Sequence, residues 1–386
     1  MGKNNRKQYD QNEVLSSGRT ARHEINTSIV SNGTSNDARK YGMRQILVPL
    51  DGSPLAEMAL PHAIGLARAT SSGLLLMRVV PTYTPPISRV GPLGSMGPMY
   101  YDPTEIEQMY DEQPALARDY LHGVAERLAS MKLQVETVVT EGIPEEMISR
   151  HAQEHPDILM IAMSTHGRSG VGRWLFGSVA EKVLQHAAVP VLLVHPDEER
   201  GEEILDLAAI QIPLYETVLA PLDGSLSAVQ AFDQVQSLVK ALSARLVLLS
   251  VASSPFDLKL VKRDASADWS AVPRSAPAMQ MAEYLDLLSQ KLAAEGIDVQ
   301  AEVTYGDSLD EILKTANFVE ADMIVIANHN HDTWGDHTVG RVVMSVAQMA
   351  TIPLLVVRVE EHEYESSEDG ERSATPAQAS VIRTGR

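Results

Sequence analysis

No cysteine occurs anywhere in the 386 residues. That absence excludes disulfides, thiolate metal sites, thiol nucleophiles and thiol redox sensing together, and it fits a reducing interior. Positive charge is also short: 32 Lys and Arg stand against 51 Asp and Glu, for a net charge of −19. Such a balance repels phosphate backbones and disfavours nucleic acid as a partner. A small phosphorylated ligand stays compatible, because backbone amides at a helix start hold an anion without net positive charge. No apolar run is long enough to span a bilayer, and the N-terminus lacks the apolar core of a signal peptide. The expectation is a soluble, cytoplasmic protein without a membrane partner. Apolar residues still make up 44%, which suits globular domains with buried cores.

What the chain does contain is a repeat. Residues 46–53 read ILVPLDGS and residues 218–225 read VLAPLDGS. Each half also ends alike, in VPVLLV at 189–194 and IPLLVV at 352–357. Units this long indicate a duplicated domain rather than a solenoid. The expected division is a polar tail without structure over 1–43, repeat one over 44–195, a linker over 196–215, repeat two over 216–359 and an acidic tail without structure over 360–386.

Within each repeat, apolar strand-like runs alternate with helical stretches. In repeat one the strands are expected at Gln45–Leu50, Leu74–Val80, Gln134–Thr140, Ile158–Met163 and Val189–Val194. Helices are expected at Pro54–Arg68, kinked by Pro61, at 112–131, at Pro144–Glu154 and at Val179–His186. Ser53 suits an N-cap and Pro54 a first helical position. Repeat two follows the same order. The expected fold class is α/β, with two tandem open parallel five-stranded sheets carrying helices on both faces. In such folds ligands bind beyond the carboxyl ends of the strands, where strand order reverses. That rule selects the turn after strand one, the end of strand two and the loop after strand four.

The loop after strand four reads MSTHGRSGVGRWLFGSVAEKV over 163–183. Its glycines permit close backbone approach, and the helix that follows offers free amides to an anion. A strand ending in Asp-Gly-Ser, joined to a glycine loop closed by Gly-Ser and a helix, resembles the universal stress protein family. Nucleotide-binding members of that family carry Gly, two residues, Gly, nine residues, then Gly-Ser or Gly-Thr. Here Gly167 is followed by nine residues and Gly177-Ser178, while Ser164 stands at the first glycine.

The resemblance implies a Rossmann-like sheet that binds ATP or a related adenine nucleotide, with any magnesium riding on the phosphates. It implies that Pro49 and Asp51 lie near the adenine or ribose and that Val79 packs on the base. Met163, Ser164, His166 and Gly167 would line ribose and phosphates. Gly177, Ser178 and Val179 would supply amides and a hydroxyl to the phosphate chain. Structural readings stand beside these. Asp51 can hydrogen-bond its own turn, and Asp223 recurs in repeat two. Ser178 with Glu181 matches a capping box. Arg168 and Arg173 read equally as solvated surface charges. A P-loop is rejected, since Arg173 and Trp174 stand where Lys and a hydroxyl residue belong.

In repeat two the matching loop over 328–344 keeps Gly340 but has Arg341 in place of Ser178, and Asp332 and Asp336 would repel phosphate. Repeat two is therefore expected not to bind a nucleotide. His329, His331 and His337 read as polar loop residues rather than a metal site. The final strands VPVLLV and IPLLVV would be sticky edges. In the resembled family such strands form dimers, so the repeats pair within one chain or the chain forms a homodimer. The Pro- and Gly-rich segment 81–103 reads as an insertion rather than a lid. The expected role is a regulatory module for stress response without a catalytic residue. The alternatives are a slow ATP-hydrolysing enzyme using His166 as acid–base group and a nucleotide-independent protein-interaction module.

Overall fold

The computed structural model describes residues 26–30, 43–82, 103–166, 176–195, 210–223, 226–252, 277–328 and 339–358. Repeat one runs β2 (Gln45–Pro49), α1 (Pro54–Glu57), α2 (Ala59–Thr70), β3 (Gly73–Val80), α3 (Pro103–Leu128), β4 (Val135–Glu141), α4 (Pro144–Glu154), β5 (Ile158–Ser164), α5 (Ser178–His186) and β6 (Val191–Val194). Repeat two runs β7 (Thr217–Pro221), α6 (Leu226–Leu242), β8 (Arg245–Ala252), α7 (Pro277–Ala294), β9 (Val299–Tyr305), α8 (Ser308–Phe318), β10 (Met323–Asn328), α9 (Arg341–Met349) and β11 (Leu354–Arg358). A further strand, β1 (Asn26–Val30), precedes both repeats.

The five strands of each repeat are parallel, but the two sets are not separate sheets. One sheet of eleven strands runs in the order β1-β4-β3-β2-β5-β6-β11-β10-β7-β8-β9. The sets meet where β6 and β11 pair antiparallel, with Leu193 opposite Leu354 and Val191 opposite Val356. Neither apolar terminal strand therefore has an open edge. Both faces of the sheet are covered, so neighbours on one strand are buried in opposite directions: Ile46 and Leu47 both have 0% exposure. The core on the α2 face is continuous across the repeats, from Ile64 and Leu192 to Leu355 and Val218. Helix α2 packs directly on α6.

Four local expectations are corrected. The tail read as unstructured contributes β1, which adds antiparallel to β4 with Asn26 opposite Val139 and Val30 opposite Val135. Thr27, Ile29 and Val30 are β-branched, a local strand preference that the polar average of the tail conceals. The helix after β2 is broken at Met58 rather than kinked at Pro61. Pro61 has no N–H for the Glu57 carbonyl and its ring crowds that carbonyl, so the interruption falls one turn upstream. Helix α3 begins at Pro103, nine residues before the expected start, and carries Pro114 in its interior. The last part of the linker is packed: Tyr215 is 5% exposed and its hydroxyl lies 2.7 Å from His62 Nδ1 on α2. Residues 83–102, the tail over 359–386, Gly167 and His329, His331 and His337 lie outside the described residues.

Candidate functional site

Strand order reverses between β2 and β5, and a cavity of about 280 Å³ opens there at the carboxyl ends of the strands. Strand β2 and its turn contribute Pro49 and Asp51. Strand β3 contributes Val79, and β5 with the residues just after it contributes Met163, Ser164 and His166. The start of α5 contributes Gly177, Ser178 and Val179. Nine of the ten residues singled out from the sequence thus line one cavity, and Gly167 lies outside the described residues. Seven lining residues were missed: Leu50, Ala56, Met77, Pro144, Ile148, Thr165 and Ala180. Met77 was accessible to sequence reasoning, because it lies two residues before Val79 on the same strand face. Pro144 and Ile148 share a face of α4 one turn apart, but only the tertiary fold brings α4 over this strand end.

The turn after β2 is built by its own side chains. Asp51 Oδ1 accepts from the Ser53 amide at 2.9 Å and from the Ser53 hydroxyl at 2.6 Å. Ser53 Oγ in turn accepts the Ala56 amide at 3.2 Å, capping α1. Gly52 between them has φ +83°, the left-handed region that glycine enters at no steric cost. The Arg78 guanidinium lies over Gly52, where a Cβ would come within 2.6 Å of its Nη1. Behind the turn, Tyr120 donates to Glu57 Oε1 at 2.9 Å, and Arg127 Nη2 meets Glu57 Oε2 at 2.7 Å. Burial, then the Glu57 charge, pushes the Tyr120 phenol above its ordinary range. Glu57 is 5% exposed, so this network clamps α1 to α3 from inside.

The glycine loop is stitched at its base. The Gly177 amide donates to the Thr165 carbonyl at 2.9 Å, and the Thr165 amide donates to the Val194 carbonyl at 2.9 Å. Thr165 has 0% exposure. A Cβ on Gly177 would come within 2.7 Å of the Thr165 carbonyl oxygen. His166 is held by its amide to Ser164 Oγ at 3.3 Å and by Nδ1 against Thr165 Oγ1 at 2.9 Å. Among the described residues its Nε2 is buried without a hydrogen-bond partner.

The capping-box reading of Ser178 is corrected here. Gly177 is the N-cap of α5 and makes no side-chain cap, while Ser178 is the first helical residue. The reason is the stitch, which holds Gly177 in an extended conformation (φ −63°, ψ 134°). The first intrahelical bond is Glu181 to Gly177 at 2.9 Å, so the amides of Ser178, Val179 and Ala180 precede the helical ladder. The cavity therefore has an apolar half (Met77, Val79, Ile148, Met163) and a polar half (His166, the Ser164 and Ser178 hydroxyls, helix-start amides). The first suits a flat apolar ring and the second an anion.

Repeat two holds a matching cavity of about 530 Å³, lined by Asp223, Leu249, Val251, Ile312, Asn328, Gly340 and Arg341 among others. Its stitch is chemically different: the Gly340 amide donates to the Asn328 side chain, Oδ1, at 2.9 Å. Two carboxylates, Asp223 and Asp307, line it. Asp307 is committed to capping α8 through the amides of Leu309 at 3.0 Å and Asp310 at 3.2 Å.

The chain is similar to known proteins in sequence and in fold. Universal stress protein YxiE of Bacillus subtilis is 29% identical over 150 residues, which is 39% of this chain and 97% of that protein. The crystal structure of a universal stress protein from Archaeoglobus fulgidus superposes with a TM-score of 0.57 at 19% identity, covering 82% of this chain and 99% of its own. A Pseudomonas aeruginosa structure described as functionally unknown gives 0.51 at 16% identity, covering 83% and 95%. These structural likenesses establish the fold. The universal stress protein family pattern matches twice, over residues 42–195 and 214–358. The chain belongs to the universal stress protein family and carries two of its domains in tandem.

Proposed function

We propose that this protein is a cytoplasmic regulatory module of the stress response whose first repeat binds ATP or a related adenine nucleotide, while the second repeat does not. One observation carries the reading: residues chosen for adenine, ribose and phosphate converge on a single cavity at the strand-order reversal, with an apolar half and a helix-start half. A ring against Val79 and Met77 leaves its phosphates directed to the α5 amides. The residues fit a nucleotide in two further respects. His166 Nε2 is a buried polar atom with no hydrogen-bond partner among the described residues, and a side chain at position 177 would meet backbone at the cradle. Any magnesium would ride on the phosphates rather than on a protein cage. Occupancy can regulate only where the bound and free states differ in affinity for a partner or interface.

The test is calorimetric titration of ATP with magnesium into the full chain and into Val79→Glu, which sets a carboxylate in the apolar half. One site per chain, weakened at least about tenfold by the variant with its fold retained, is expected. No heat from the full chain sinks the reading, and two sites per chain refute the silent second repeat.

A second reading, slow ATP hydrolysis, is favoured by His166, which lines the cavity and whose Nε2 has no hydrogen-bond partner among the described residues. His166→Ala separates the two: turnover lost with binding retained favours the enzyme.

A further inference from the structure

The two repeats are not merely joined along β6 and β11. Aligning VPVLLVH with IPLLVVR places His195 and Arg358 at equivalent positions, each one residue beyond a VPVLLV- or IPLLVV-type run. Each side chain crosses to the other repeat and ends on the closing turn of its last helix. Arg358 Nη1 donates to the Gln185 carbonyl at 3.0 Å and to the Ala187 carbonyl at 3.4 Å, at the C-terminus of α5. His195 Nε2 lies 2.8 Å from the Ala347 carbonyl near the C-terminus of α9. A carbonyl only accepts, so His195 is protonated on Nε2 there. The last carbonyls of a helix lack intrahelical donors and carry the negative end of its dipole. A guanidinium on the α5 terminus therefore satisfies both needs at once.

Helix α5 has nine residues, and its other end forms the polar half of the cavity in repeat one. A helix this short is about 13 Å long, and a tilt of about 5° at one end moves the other by about 1 Å. We infer that Arg358, from the second repeat, is a positioning residue for the ligand site of the first, so that the site is incomplete without repeat two. This rests on the nucleotide reading for its ligand, but not for its geometry. It also supplies a physical role for a second domain whose own loop has departed from the phosphate pattern: the domain holds α5 at the angle that aims the Ser178, Val179 and Ala180 amides. His195 makes the reciprocal contact onto α9, whose first residues line the cavity of repeat two.

The experiment compares the full chain with Arg358→Ala and Arg358→Lys. Hydrogen exchange is followed over 178–190, and ATP–magnesium affinity is measured by calorimetry. Arg358→Ala is expected to speed exchange in α5 and to weaken ATP binding about five- to tenfold, the scale of one charge-assisted bond at a helix end. Arg358→Lys, which keeps a cation within reach of the same carbonyls, is expected to recover most of both. Unchanged α5 exchange and affinity in folded Arg358→Ala overturns the proposal. So does an affinity loss that Lys fails to recover while α5 exchange stays at the wild-type rate. Should Arg358→Ala not fold, Arg358→Lys and Arg358→Gln decide by the same two readouts. Should the unaltered chain bind no ATP, the exchange arm alone decides the cap, and the nucleotide reading fails separately.

Discussion

Gly177 and Gly340 occupy equivalent places and differ in one contact, which makes a paired substitution informative. Both are N-caps of nine-residue helices, with φ of −63° and −55°. Replacing either by Ala loses similar capping preference and similar unfolded-state entropy, so those terms cancel in the comparison. The remaining difference is the methyl group. At 177 it would stand 2.7 Å from the Thr165 carbonyl oxygen, while at 340 its nearest neighbour would be Asn328 Oδ1 at 3.6 Å, an ordinary contact. The Thr165 carbonyl is backbone, fully buried, and is the acceptor that holds Gly177 itself. It cannot retreat without breaking the stitch. Overpacking of this kind costs about 1–3 kcal/mol, so Gly177→Ala should be less stable than Gly340→Ala by about that amount. Urea unfolding of the full chain, followed by circular dichroism, measures the difference. In the same variants ATP affinity should fall for Gly177→Ala alone, because the stitch sets where α5 begins. Equal midpoints for the two variants would refute the argument that the Thr165–Gly177 contact defines the cradle.

Two further outcomes are expected. His62 and His151 are both held at about 4 by burial, His151 also by the charge of neighbouring His155; they are neutral in the fold and take up protons on unfolding below about 6.5. Stability is therefore lost as pH falls from about 6.5 towards about 4, and His151→Leu should remove about one proton from the pH slope of the urea midpoint, an unchanged slope counting against the assignment. Glu57→Ala removes the partner of the half-buried Tyr120 hydroxyl and the Arg127 ion pair; because Arg127 is one-third exposed and can reach water, the loss should be about 1–3 kcal/mol in urea, and a loss below about 0.5 kcal/mol would show that the network does not clamp α1 to α3.

The sequence by itself determined the duplication, the alternation of strand and helix and nine of the lining residues described here. It could do so because those features are local. Strand periodicity, Asp-Gly-Ser at a strand end and closely spaced glycines before a helix each act within a few residues, and the reversal rule ties their strand ends to one crevice. Other features depended on distances that no local pattern encodes. Ile148 reaches the cavity only because α4 lies over β3 and β5. Ser178 looks like an N-cap in sequence, yet the Thr165 carbonyl, twelve residues back, takes the Gly177 amide and moves the helix start by one residue. Strand β1 is decided by the open edge of β4, which exists only once the sheet has formed. The crossing of Arg358 to α5 is likewise tertiary. A terminal apolar strand predicts that something will pair with it, but only the antiparallel register of β6 on β11 carries His195 and Arg358, at the ends of these strands, to the helix end of the opposite repeat.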